Sequence, residues 1–123
     1  MVKKSTKKLT KRSLPAEIRL AAKTGEDKKA EDLCVLDLRD LSSFTDFFII
    51  MNGNSSRHNL ALMEGIEEEL KKTGLRPLSI EGRETAEWLL MDYGFFLVHV
   101  FSPSARDNYS LDKLWGDAPK VQY

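Results

Sequence analysis

The sequence is poor in cysteine and histidine, the residue types that form disulfide networks and zinc sites. Its single cysteine, Cys34, excludes a disulfide within the chain and fits a reducing compartment, which predicts a cytoplasmic location. Cys34 lies in the apolar segment Leu33–Leu36, which is typical of a buried strand, so we interpret it as a small core side chain. The two histidines, His58 and His99, have no cluster of acids or thiols beside them in the sequence, and we expect no zinc site.

A tight Asp-x-Asp pair is also missing, which bears on catalysis. Aspartates at predicted strand ends and turns are candidate Mg²⁺ ligands for nucleotidyl transfer. However, Asp37 and Asp40 are three residues apart, out of register for one face of a strand. We therefore expect no metal, no cofactor and no enzymatic activity. The alternative is a nucleotide-binding or nucleotidyltransferase-like enzyme that uses Asp37, Asp46 and the loop at Gly53.

Long apolar runs are missing, and the zero net charge hides an asymmetry. No segment approaches the roughly 18 apolar residues that span a bilayer, and no apolar segment follows the basic N-terminus as in a secretory signal. Residues 1–12 carry six basic groups and no acid, which leaves residues 13–123 with a net charge of −6. The basic tail can neutralise phosphates or serve only as a solubilising segment. The acidic remainder favours a basic protein partner.

Apolar periodicity and turn residues predict the order helix, strand, strand, helix, strand, strand, strand and short helix. This order predicts an α/β or α+β fold in which a mixed sheet of about five strands is flanked by helices. The first predicted segments are a helix from Pro15 that breaks at Gly25 and two strands, Leu33–Leu38 and Phe47–Met51. A second helix follows, capped by Ser55 or Ser56 and ended by Gly74, and then a strand, Leu75–Ile80. The last segments are a hairpin of Trp88–Tyr93 and Phe95–Phe101 around Gly94 and a short helix that begins at Pro103.

The hairpin carries more large side chains than one face of a small domain can hide. If Leu89 and Met91 face the core, then Trp88, Leu90 and Asp92 share the opposite face, and the reverse assignment is equally compatible with the pattern. Either way, one face of the hairpin needs cover from a helix, a second subunit or a partner. Tryptophan is a typical anchor of protein interfaces.

The loop Gly53–Arg57 precedes the clearest predicted helix. Free backbone N–H groups and the helix dipole favour an anion at such a position, so Ser55, Ser56 and Arg57 form a possible anion-binding loop. The competing interpretation is that the serines only cap the helix. The loop has neither the spacing nor the lysine of a Walker phosphate loop.

Motifs spread over residues 15–119 resemble one known family when they are taken in order. The segments are Val35–Leu38, Leu41–Ile50, Gly53–Arg57, Gly74–Leu78, Glu81–Gly82, Glu87–Trp88, Asp92–Gly94, Val98–Phe101, Arg106–Tyr109 and Leu111–Ala118. Together they resemble the ribosomal silencing factor (RsfS, or Iojap) family. The resemblance implies a nucleotidyltransferase-like topology without the catalytic site. It also implies a non-enzymatic translational repressor that forms homodimers when unbound.

The resemblance further implies a partner and a surface. Such a factor binds the large ribosomal subunit through ribosomal protein uL14 and sterically blocks joining of the small subunit when nutrients are limiting. Carried onto this sequence, the contact surface comprises Trp88, Leu90, Asp92 and Tyr93, with His99 beside them. The resemblance assigns no role to the Ser55–Arg57 loop.

The resemblance covers most but not all of the chain. We divide it into a basic tail (1–14), a silencing factor domain (15–119) and a C-terminal end (120–123), with rRNA as the expected contact of the tail. Many relatives have an acidic residue after the hairpin glycine where this chain has Phe95 and then Phe96, which predicts a larger apolar patch. Tyr109, Leu114 and Trp115 are expected to pack at the C-terminus.

Overall fold

A six-stranded mixed sheet organises residues 9–123, the part of the chain that the computed structural model describes. Most of the predicted basic tail, residues 1–8, lies outside the described residues. The elements are α1 (Ala16–Asp27), β1 (Glu31–Asp37), β2 (Phe47–Asn52), α2 (Ser56–Lys72), β3 (Ser79–Glu81), β4 (Trp88–Asp92), β5 (Phe96–Phe101), α3 (Pro103–Tyr109), α4 (Leu111–Leu114) and β6 (Lys120–Gln122), with a 3₁₀ turn over Lys11–Ser13 before them. The predicted mixed α/β (α+β) fold is confirmed, with one strand more than expected.

The strands lie in the order β3-β4-β5-β2-β1-β6. Only β2 and β5 run parallel to each other, and the other neighbours are antiparallel. Every residue of β2 and β5 is buried, which confirms the prediction that the continuous apolar run at Phe47–Met51 is a central strand. The predicted hairpin is also confirmed: β4 and β5 pair on either side of Gly94, whose φ of +88° suits glycine.

Helix α2 follows its sequence signals closely. The Ser55 side chain accepts a hydrogen bond from the backbone N–H of His58 at 3.0 Å and so caps the helix. Gly74, at a φ of +91°, follows the helix as predicted. One face of the helix is buried as expected, and it comprises Asn59, Leu62, Met63, Ile66 and Leu70.

Two predicted boundaries are wrong for identifiable reasons. Helix α1 runs through Gly25 to Asp27, because this glycine serves close packing: a Cβ there would lie 2.9 Å from Leu33 Cδ1. Strand β3 begins at Ser79 instead of Leu75. The N–H of Leu75 donates to the Leu70 carbonyl at the end of α2, and Pro77 has no N–H to give a neighbouring strand.

The sixth strand was missed because it is short and contains a single apolar residue, Val121. β6 pairs antiparallel with β1, with Val121 opposite Val35. At the other end of the domain, Leu14 is buried in the core beside Ile18. Both termini of the described region therefore contribute contacts to the fold.

The sheet separates two clusters of buried side chains. One cluster fills the space between the sheet and helices α1 and α2 and is mainly aliphatic. The other lies on the opposite face, where α3, α4 and the chain before β6 supply the cover. We call these the helix face and the aromatic face of the sheet.

Candidate interaction surface

Strand β4 settles which side of the hairpin is turned toward the helices. Leu89 and Met91 are fully buried in the cluster of the helix face. Trp88, Leu90 and Asp92 are half-buried and alternate with them on the aromatic face, where Trp88 and Leu90 pack against the second cluster. Of the two assignments that the sequence left open, the first is therefore present.

A row of edge-on and tilted rings crosses the aromatic face. The ring centroids lie 6.4 Å apart between Phe44 and Phe48, 4.4 Å between Phe48 and His99, 5.9 Å between His99 and Trp88, and 4.4 Å between Trp88 and Tyr109. The middle of the row is buried, but Phe44 is 62% and Tyr109 55% exposed at its ends. We call these five residues the aromatic row. They give the domain an apolar surface that begins in the core and reaches solvent.

Two members of the row are joined by a hydrogen bond. The Trp88 indole N–H donates to Nδ1 of His99 over 3.0 Å. His99 is only 3% exposed, and among residues 9–123 its Nε2 has no hydrogen-bond partner. Burial, and to a lesser extent the positive charge of Arg106, lower the pKa of His99 to about 3. The imidazole is therefore neutral at physiological pH.

Tyr93 lies apart from the other residues that the resemblance assigned to the contact surface. It is buried in the cluster of the helix face, where its ring stacks on Phe96 at 4.9 Å. The Tyr93 hydroxyl has no hydrogen-bond partner in the described part of the chain, and burial raises the pKa of Tyr93 to about 12. Asp92 accepts the backbone N–H of Gly94 at 2.8 Å and so stabilises the hairpin turn. The structure thus brings together Trp88, Leu90, Asp92 and the buried His99.

The expected rim at Phe95 and Phe96 is only partly apolar surface. Phe95 lies in the turn before β5 and is 37% exposed, whereas Phe96 begins β5 and is fully buried in the cluster of the helix face. The prediction for the C-terminus is likewise partly wrong. Trp115 packs edge-on to Phe48 at 6.0 Å, but Leu114 is 71% exposed since its neighbours Leu111 and Trp115 occupy the sheet-facing side of α4.

Arg106 anchors the short helices to the sheet. Its guanidinium donates two hydrogen bonds to the Asp112 carboxylate, at 3.0 and 3.1 Å. It also donates to the Asn52 side chain and to the Asp32 backbone carbonyl, each at 2.8 Å. These contacts join α3, α4, β2 and β1. The arginine holds the pKa of the Asp112 carboxyl below its usual value through this hydrogen bonding.

No role was predicted for these anchoring residues, although Arg106 and Asp112 stand in segments that match the family. Their six-residue spacing matches no helical pair, and Asn52 is more than fifty positions away. Phe44 was likewise missed as a surface residue. The sequence feature that indicates its exposure is the position of this aromatic side chain in a turn-rich connector, where burial is not expected.

The loop at the start of α2 uses much of its hydrogen-bonding capacity internally. The backbone N–H of Asn54 donates to Nδ1 of His58 at 3.0 Å, and the hydroxyl of Ser56 donates to the Thr85 carbonyl at 3.3 Å. Ser55 is the helix cap, and Arg57 is exposed. Capping is the role that these contacts define, and anion binding by Ser55, Ser56 and Arg57 stays a prediction.

The carboxylates considered for metal binding do not form a cluster. Asp37 accepts two hydrogen bonds from the Arg39 guanidinium, at 3.0 and 2.7 Å. Within residues 9–123, no group of three or more histidine, cysteine, aspartate or glutamate side chains is arranged to hold a metal ion. Over the same residues, the helices are all too short or too polar to cross a membrane.

The fold and the surface together define a mixed α/β domain with one closed sheet face and one aromatic face. A family model described as ribosomal silencing factor during starvation matches residues 11–123. The ribosomal silencing factor RsfS of Bacillus subtilis is 39% identical over 102 residues, which cover 83% of this chain and 86% of that relative. This chain therefore belongs to the ribosomal silencing factor family.

A solved structure and a mitochondrial relative extend the comparison. The crystal structure of a Chromobacterium violaceum protein has a TM-score of 0.79 and 37% identity, covering 81% of this chain and 83% of its own. The mouse protein named mitochondrial assembly of ribosomal large subunit protein 1 is 33% identical over 72% of this chain, which is 40% of the mouse protein. The fold is thus shared with a homologue of known structure.

Proposed function

We propose that this protein is a translational repressor that binds the large ribosomal subunit through ribosomal protein uL14 and sterically blocks joining of the small subunit. This repression operates when nutrients are limiting, in line with the family description of silencing during starvation. The name of the mouse relative supports the large subunit as the partner. The role is one of binding without catalysis, in line with the regulatory name of the Bacillus subtilis relative, ribosomal silencing factor.

The observation that carries the proposal is the aromatic row with its two exposed ends. A partner that covers Phe44 and Tyr109 removes their rings from water, and Trp88 lies directly behind Tyr109 as a partly buried anchor. Leu90 and Asp92 lie on the same face of β4. This surface combines exposed rings with the polar side chain of Asp92, and protein interfaces commonly combine apolar and polar groups.

Charge supports the same partner. Residues 13–123 carry a net charge of −6, which favours encounter with a basic ribosomal protein. The six basic groups of residues 1–12 have the opposite preference and are suited to contact rRNA phosphates. The body and the tail can then bind protein and rRNA side by side on one subunit. In a bacterial cell this places the protein in the cytoplasm.

We also propose that the unbound protein is a homodimer that covers part of the aromatic face. A second copy would shield the exposed rings until the ribosome replaces it. Analytical ultracentrifugation of the protein with and without purified uL14 tests this. A dimer that persists unchanged in the presence of saturating uL14 would contradict the replacement.

Sucrose-gradient sedimentation with separated ribosomal subunits tests the main proposal. The protein should travel with the large subunit and not with the small one. Large subunits loaded with it should fail to form complete ribosomes when small subunits are added. A protein that stays at the top of the gradient, or that binds without reducing subunit joining, would refute the proposal.

A further inference from the structure

The Trp88 indole is hydrogen-bonded to a side chain that is almost fully buried. The indole N–H donates to Nδ1 of His99, a residue that is 3% exposed. We propose that His99 is a positioning residue of the docking surface: it fixes the orientation in which the Trp88 ring meets the ribosomal protein, without touching that protein. This inference rests on the proposed function and adds a role for a residue buried beneath the surface.

The proton arrangement of His99 follows from the contact. An indole N–H can only donate, so Nδ1 must be unprotonated and the imidazole proton lies on Nε2. Nε2 is buried and, within the residues that the structure describes, has no hydrogen-bond partner. An N–H without a partner in the interior is unfavourable. Only one of the two ring nitrogens of His99 is paired. A histidine at this position is explained if its Nδ1 is needed as the acceptor for the Trp88 indole.

His99 is itself held rigidly. It lies in β5 at the centre of the sheet, opposite Leu90 on one side and Ile50 on the other. Its ring lies edge-on to Phe48 at 4.4 Å and parallel to Phe101 at 5.9 Å, with 6° between the planes. A side chain fixed by two neighbouring strands and two rings is a stable reference point for Trp88.

Trp88 has weaker constraints of its own. It is the first residue of β4, and the strand is preceded by Ala86 in a left-handed conformation at a φ of +57°. Its ring contacts Phe101 at 5.1 Å and Tyr109 at 4.4 Å, and Tyr109 is largely exposed. These ring contacts keep the indole packed against its neighbours, but they restrict rotation of the indole within its own plane only weakly. The directional hydrogen bond to His99 restricts this rotation.

A matched pair of variants separates positioning from packing. Leucine and asparagine have nearly the same shape, so His99→Leu and His99→Asn leave similar space. Only the asparagine Oδ1, attached to Cγ as Nδ1 is, can accept the indole N–H. ¹⁵N NMR of the indole N–H group in the unbound protein reads the contact directly, in a Trp115→Phe background that leaves Trp88 as the only tryptophan.

The expected results are specific to the acceptor. In His99→Leu, the indole N–H should exchange faster with solvent, and large-subunit binding in sedimentation should weaken by about tenfold, the equivalent of one hydrogen bond. In His99→Asn, slow exchange should return and binding should stay within about threefold of the parent protein. Thermal unfolding of both variants checks that each is folded.

Two results would overturn the inference. Equal weakening of binding by both variants, with both folded, would make the role of His99 purely structural, and unchanged binding in His99→Leu would remove the role altogether. If the parent protein itself does not bind the large subunit, the proposed function fails instead. The indole exchange rates would then still report whether His99 orients Trp88.

Discussion

The two faces of the sheet differ in composition and in cover. Helices α1 and α2 close the helix face over a cluster of mainly aliphatic side chains. The aromatic face is covered by two short helices, and the aromatic row emerges from it at Phe44 and Tyr109. This difference separates two tasks within one small domain: the helix face supplies most of the stability, and the aromatic face retains a surface for binding.

The largest effect should come from a cavity in the helix face. Ile66 is fully buried on α2, and Ile66→Ala should lower the free energy of unfolding by about 3 kcal/mol through lost apolar contact and an unfilled cavity. Urea unfolding followed by circular dichroism measures this. Leu78→Ala is the control, since Leu78 is 75% exposed and should change stability by no more than about 0.5 kcal/mol. Similar losses in the two variants would contradict the assignment of Ile66 to the core.

The next effect concerns the anchor of the aromatic face. Arg106→Met should lower the free energy of unfolding by about 2 to 3 kcal/mol, because Asp112 and Asn52 lose their charged donor. Combining it with Asp112→Leu should recover part of this loss, since no partly buried carboxylate is then left unpaired. A double variant that loses the sum of the two single losses would argue against direct coupling of the pair.

A third effect is the pH dependence that His99 confers. Its pKa is about 3 in the folded protein and ordinarily 6.5, so the unfolded chain binds this proton more readily. Stability from the neutral ring is complete above pH 6.5 and is lost as the pH falls toward 3. Between pH 7.5 and pH 5 the loss should be about 2 kcal/mol. The Asp112 carboxyl, whose pKa is lowered, loses its contribution only below this window.

Urea unfolding across pH 5 to 7.5 measures the contribution of His99. The His99→Asn variant has no titrating ring, so its stability should vary by about 2 kcal/mol less over the same range. An equal slope in the variant and the parent protein would place the pH dependence elsewhere in the molecule.

The elements predicted correctly are those with a strong local signal. The continuous apolar run that begins at Phe47 has few alternatives to a central strand, and α2 has both a cap at Ser55 and a terminating glycine. The failures have local causes as well. In the sequence, Gly25 indicates the end of a helix, because glycine is a weak helix former. In the structure, Gly25 permits close packing against Leu33, a residue outside the helix.

The composition of the interaction surface depends on contacts between residues that are far apart in the sequence. Alternation along β4 is the same for either choice of face, so Trp88 could be assigned only once the helices were placed over Leu89. The contacts of Arg106, which lies in α3, come from three other elements, α4, β1 and β2. The burial of Tyr93 similarly depends on the strand pairing, which sequence motifs leave open.

The smallest effect should lie at the rim of the aromatic face. Phe44→Ser should leave the free energy of unfolding within about 1 kcal/mol, because the ring is 62% exposed, yet weaken binding to the large subunit about fivefold to tenfold by removing one end of the aromatic row. Leu78→Ser is the matched control, an apolar residue of similar exposure that precedes β3, outside the row. Sedimentation with a titrated amount of large subunit compares the two. Equal weakening in both variants would mean that general surface hydrophobicity, and not the aromatic row, determines binding.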